Sequence, residues 1–182
     1  MFDRITPDDL IMAFFPCIYF CAFSQMEMSL TNINKRGKPM EERYEYVISR
    51  SRNRQKFLEL LIKLMGACEL GGLRLIVENP WSMQTYLKNG FIKPPALVDN
   101  DRSRRGDYFK KETAYWFINC EPTQLETLQK DKQVKRIVDT PSNSTAGLCS
   151  EARSMISHDY ARNFICDFIL GKPQVNTQLT LF

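Results

Sequence analysis

Leu10 to Phe15 is an unbroken apolar run, Leu-Ile-Met-Ala-Phe-Phe, introduced by Asp8 and Asp9 and stopped by Pro16. Proline cannot donate to a β ladder, so the run is expected to be a buried strand that ends at Pro16 and opens into a loop. Cys17 then stands at the carboxyl end of a strand, where open α/β sheets carry their chemistry. It is a candidate nucleophile, with a small buried hydrophobe beside Cys21 as the competing reading. The uncharged stretch Leu10 to Phe23 is too short for a bilayer, and its flank is acidic where a signal peptide is basic, so no membrane segment is expected.

Phe23 to Pro39 reads as a long loop. From residue 41 to 69, Tyr44, Val47, Ile48, Phe57, Leu58, Leu61, Ile62, Leu64 and Met65 recur at helical spacing, predicting one long helix or two that Gly71-Gly72 stops. Arg43, Arg50, Arg52, Arg54 and Lys56 lie between them, as a solvated face or a phosphate-contacting one. Leu73 to Pro80 is a β-branched run that ends in Glu78-Asn79-Pro80. Strand, helix and strand make a βαβ unit with parallel strands and a right-handed crossover. Cys17 and Glu78 are thereby brought to one sheet edge, although a surface carboxylate followed by a turn remains the plainer reading of Glu78-Asn79-Pro80.

Tyr86 to Pro95 looks like an irregular connection. Arg102, Arg104, Arg105, Lys110 and Lys111 then surround Tyr108 and Phe109, a mixture suited to nucleic acid or simply to an exposed loop. Ala114 to Cys120 predicts a third strand, Glu121 to Gly147 is polar, and Ser157 caps a last amphipathic helix ended by Gly171 and Pro173. The chain has 182 residues and a formal charge of +4, enough for one domain over residues 1–172 and mild enough to permit a polyanionic partner without requiring one. Its six cysteines contain no CxxC pair and His158 is the only histidine, so no metal site is expected, and scattered thiols suggest a reducing cytoplasm.

Together, Phe15-Pro16-Cys17, the helix, Glu78-Asn79-Pro80, the segment Tyr108 to Trp116 and Arg153-Ser-Met-Ile before the last helix resemble the C5-cytosine DNA methyltransferases. The likeness is to the compact phage-type members and covers about residues 8 to 170. It implies an α/β chain, a partial Rossmann-like methyltransferase fold with a mostly parallel sheet flanked by helices. It further implies Cys17 as the nucleophile that adds to carbon 6 of cytosine, and Glu78 as the carboxyl that holds the ring nitrogen. Pro16, Asn79, Pro80 and Thr113 would shape the base pocket, and the basic residues at 102 to 111 would grip the DNA around a flipped base. The family's donor is S-adenosylmethionine, bound by a glycine-rich strand that lies well before the Pro-Cys strand. Here Leu10 follows only nine residues and no Gly-x-Gly occurs, so the donor site is expected on a separate subunit. Glu112 and Ala114 stand where family members often carry basic residues.

Gln178-Leu179-Thr180-Leu181-Phe182, within the flexible tail 173–182, resembles the pentapeptide that docks bacterial and phage proteins on the replicative sliding clamp. Gln178, Leu179, Leu181 and Phe182 would make that contact, the apolar side chains filling pockets. The expectation is half of a split cytosine methyltransferase recruited to DNA through the clamp. Its alternative is a methyltransferase-derived binding protein without chemistry, acting on the clamp or on a host defence system.

Overall fold

A computed structural model of the chain describes residues 4–21, 26–81, 86–90, 93–129 and 155–172. In chain order these give strand β1 (Leu10–Phe14), helix α1 (Met40–Leu70), strand β2 (Arg74–Pro80), a short helix α2 (Tyr86–Gly90), strands β3 (Leu97–Asp99) and β4 (Thr113–Ile118), and helix α3 (His158–Phe164). The last helix continues as a π-helical turn over Ile165–Leu170. The four strands form one sheet in the order β1-β2-β4-β3. They fall into two compact units, one of residues up to 98 together with 113–121, the other of residues 99–112 with the described part of the chain from 122.

The first unit is built on the expected βαβ. β1 ends at Phe14, one residue before Phe15-Pro16, and pairs in parallel with β2, Leu10 opposite Arg74 and Phe14 opposite Glu78. α1 is a single helix of 31 residues, about 46 Å long at 1.5 Å per residue. Glu41 and Glu42 in its first turn complement the positive end of the helix dipole. Arg54, Leu61, Met65 and Cys68 are its buried residues, one narrow stripe at spacings of seven, four and three. Leu61, Met65 and Cys68 pack with Leu75, Val77, Ala114, Trp116 and Ile118 to make the core. At the far end Gly72 takes φ +67°, and the Leu73 N–H reaches back 2.9 Å to the Cys68 carbonyl. Asn119, itself at φ +53°, donates its amide to the carbonyls of Cys68 (2.8 Å) and Leu73 (3.1 Å), so the end of β4 holds both the helix terminus and the entry to β2.

The sheet departs from the expected mostly parallel order, because β4 runs antiparallel to β2 with Thr113 opposite Pro80 and Ile118 opposite Leu75. A parallel return needs a crossover that carries the chain back along the sheet, usually a helix. Between Pro80 and Thr113 the described helices are α2, five residues long, and a 3-10 turn over Arg102–Arg104, and the chain re-enters from the edge it left. The fold is thus a mixed α/β sheet with one parallel pair. The third strand also starts and stops earlier than expected, at Thr113 and Ile118.

In the second unit, Ser157 caps α3 by accepting from the Tyr160 N–H at 3.1 Å, as its position predicts. Its hydroxyl also donates to the Gly106 carbonyl at 2.7 Å. No helix among the described residues is long and apolar enough to cross a membrane. The polar link around Pro141 to Thr145, Arg153-Ser154 at the start of the closing segment and the clamp-like tail lie outside the described residues.

Candidate functional site

The carboxyl edge of the β1–β2 pair brings together the residues that the apolar run and the Glu-Asn-Pro segment predict. Cys17 opens a single 3-10 turn, Cys17–Tyr19, directly after Pro16. It is half-buried and its thiol is reduced. The register puts Glu78 beside Phe14, three residues before Cys17, and the Asn79 amide donates to the Phe15 carbonyl at 3.4 Å. Asn79 is therefore a brace between the two strand ends. Glu78 is only 8 % exposed, which argues against the reading of a surface carboxylate.

β4 completes this edge. Partners across a strand pair share a face, and alternate residues along a strand do too. Glu78, Pro80, Thr113 and Tyr115 consequently lie on one face, with Phe14, while Val77, Ala114 and Trp116 supply the opposite face that forms the core with α1. Thr113 is fully buried, and its hydroxyl has no hydrogen-bond partner among the described residues. A buried hydroxyl left unsatisfied carries a desolvation penalty of about 1–3 kcal/mol. A ligand with a polar edge would remove that penalty.

Cys68 and Cys120 are poor nucleophile candidates. Burial pushes the Cys68 and Cys120 thiols up from their ordinary range, so both hold their protons at neutral pH. Among the described residues no group of histidine, cysteine and carboxylate side chains could hold a metal ion. No glycine stands directly after β1 or β2: the first after β1 is Gly37 and the first after β2 is Gly90, while Gly71 and Gly72 close α1, and Gly106 packs at 3.0 Å, measured from an added Cβ, to Asp159 and at 3.1 Å to Gln129.

The basic segment 102–111 is not the exposed cationic loop the sequence suggests. Arg102 is 1 % exposed, paired with Asp107 and stacked over the Tyr160 ring at 4.4 Å. Arg105 bridges Asp99 at 3.0 Å and Asp167 at 3.2 Å. Tyr160 donates to Asp99 at 3.1 Å, and Thr127 donates to Asp167 through both its N–H (2.8 Å) and its hydroxyl (2.6 Å). Two of the five cations are therefore internal bolts of the second unit and cannot grip a backbone. Arg104 is exposed and paired with Glu126 at 3.0 Å, Lys110 is exposed and Lys111 is half-buried. Asp107 and Asp99, which pair with Arg102 and Arg105, lie five and six residues away, whereas Asp167, the second partner of Arg105, lies sixty-two residues away, where a local reading of charge does not find it.

Sequence reasoning also leaves unassigned the role of α1 toward the Cys17 turn. Arg50 and Arg54, one helical turn apart, donate to the carbonyls of Ile18 (2.6 Å) and Tyr19 (2.7 Å). Their spacing, with Arg54 on the same stripe as Leu61 and Met65, is the signal that could have revealed it.

No protein-family model, curated protein or solved structure matches the chain.

Proposed function

We propose that this chain is the cytosine-binding, covalent part of a C5-cytosine DNA methyltransferase of phage type, with the partial Rossmann-like arrangement of that family, working with S-adenosylmethionine held on another segment or subunit. The observation that supports the reading is that Cys17, Glu78, Asn79 and Thr113 stand at one edge of the sheet, Glu78 and Thr113 on the same face, with the Thr113 hydroxyl without a partner among the described residues. When bound by its own partner, the donor supplies a methyl group to carbon 5; the steps below belong to this chain.

The Cys17 thiolate adds to carbon 6 of a flipped cytosine, forming a C–S bond and moving the ring's electron pair toward N3. Protonated Glu78 donates a hydrogen bond to N3 and disperses that charge, which a nearly enclosed carboxyl suits. Carbon 5 is now nucleophilic. Without a donor it takes a proton from water, then loses its original hydrogen as the thiolate leaves. Cytosine is regenerated and its C5 hydrogen has exchanged with solvent.

The test follows from that balance. DNA deuterated at cytosine C5 should lose deuterium to water in the presence of the chain, and Cys17→Ser should abolish the loss. Exchange that persists in Cys17→Ser, or its absence with and without a donor-binding partner, overturns the catalytic reading. In the second reading, a DNA- or clamp-binding protein without chemistry, the edge would serve only to hold a base. The absence of any Gly-x-Gly step from the sequence favours it.

A further inference from the structure

We infer that Arg50 and Arg54 are positioning residues for the Cys17 thiol, setting both the path of its turn and the positive field around it. This rests on the reading of Cys17 as the nucleophile. Three successive carbonyls of the turn are fixed by donors. That of Cys17 accepts from the N–H groups of Phe20 (3.0 Å) and Cys21 (3.1 Å), that of Ile18 from Arg50, and that of Tyr19 from Arg54. The Arg50 guanidinium lies 5.4 Å from the Tyr19 ring centroid, and that of Arg54 lies 4.8 Å from the ring of Tyr86. The turn has little freedom left, and its angle to β1 is set from α1.

The arrangement works against the arginines themselves. Burial disfavours the Arg54 charge, and the nearby charge of Arg50 disfavours it further. Two like charges held one helical turn apart destabilise each other, and a neutral donor could serve the Tyr19 carbonyl equally well. What the cations add is a field that favours a thiolate on the turn. Arg54 lies within electrostatic reach of Cys21, two residues beyond that turn. The charged and titratable groups on the elements around the turn are Arg50 and Arg54 of α1, Tyr19 of the turn, Cys21 just beyond it, Tyr86 of α2 and Glu78 at the end of β2.

Arg43 is the internal control. It makes the same kind of bond, to the carbonyls of Lys38 (2.9 Å) and Leu30 (3.4 Å), but remote in sequence from Cys17. The experiment is peptide-resolved alkylation of the full chain by iodoacetamide between about pH 6 and 9.5, with no DNA present. Arg54→Met should raise the pH midpoint of Cys17 alkylation by about one unit, a roughly tenfold loss of rate at neutral pH. Arg54→Lys, which restores the charge, and Arg43→Met should keep the native midpoint. If Arg54→Met does not fold by circular dichroism, Arg50→Met, at the less buried arginine, carries the same expectation. An unmoved midpoint, or an equal shift in Arg43→Met, overturns the inference. Deuterium exchange on DNA separates the two claims. A shifted midpoint without exchange in the native chain leaves the positioning role standing and removes the cytosine reading. Native exchange with an unmoved midpoint does the reverse.

Discussion

Thr113 and Arg105 show how differently two buried polar side chains behave when one has partners and the other has none. Replacing Thr113 by valine removes the orphaned hydroxyl at nearly constant volume. Thr113→Val is therefore expected to leave thermal stability unchanged or to raise it by about 1 kcal/mol, while lowering the exchange of C5 deuterium. Calorimetry and the exchange assay should move in opposite directions. For Arg105 the expectation is reversed. Arg105→Met strands Asp99 and Asp167 without their shared cation and should destabilise the protein by about 3 kcal/mol or more in urea unfolding. Arg104→Met, at an exposed ion pair, should stay within about 0.5 kcal/mol of the native value. The sequence displays Arg102, Arg104 and Arg105 as equals. Their partners tell them apart: Asp107 and Asp99 lie five and six residues from Arg102 and Arg105, inside a local window that does not show which charges pair, and Asp167, sixty-two residues from Arg105, lies outside any such window.

The elements were more legible than the cations. β1 ends beside Pro16 because proline closes a ladder, and α1 ends at Gly71-Gly72 because a left-handed residue is needed there. At Gly72 an added Cβ meets nothing within 4 Å, so the φ of +67° is the whole cost of a substitution. Gly72→Ala should thus destabilise by about 1 kcal/mol, readable as a shift in the urea midpoint with no change of slope. Gly106 differs, since a side chain there would also press on Asp159 and Gln129. The direction of β4 was not legible. An aromatic, wholly buried run such as Thr113 to Ile118 reads the same in either orientation, and the connection through residues 81–112 has no periodicity that would reveal where it returns. β3, only three residues long, is likewise too short to show a pattern.

On the scale of the whole molecule, the internal pairs withdraw Arg102 and Arg105 together with Asp99, Asp107 and Asp167, so the net charge of +4 is not reduced by them, but the segment 102–111 loses two of its five cations as contacts for a polyanion. Recruitment to DNA then falls more heavily on the tail in the proposed function. Deleting residues 178–182 should abolish binding to a replicative sliding clamp, measured by surface plasmon resonance, and leave the urea midpoint unchanged; undiminished affinity would remove the clamp from the proposal. The candidate site was legible as far as Cys17, Glu78 and Asn79 because a proline and a Glu-Asn-Pro step mark two strand ends directly. Thr113 was named for the base pocket by the resemblance alone, and its place at this edge, opposite Pro80, comes from the antiparallel register. That register also has a kinetic meaning. The edge is assembled from Phe14, Glu78 and Thr113, which lie far apart along the chain, so closing it requires two long loops to form before any local contact rewards them. The thiol at the strand end therefore reports on the completion of folding: its reactivity in a refolding chain should remain that of an unfolded cysteine until the three strands have found their register.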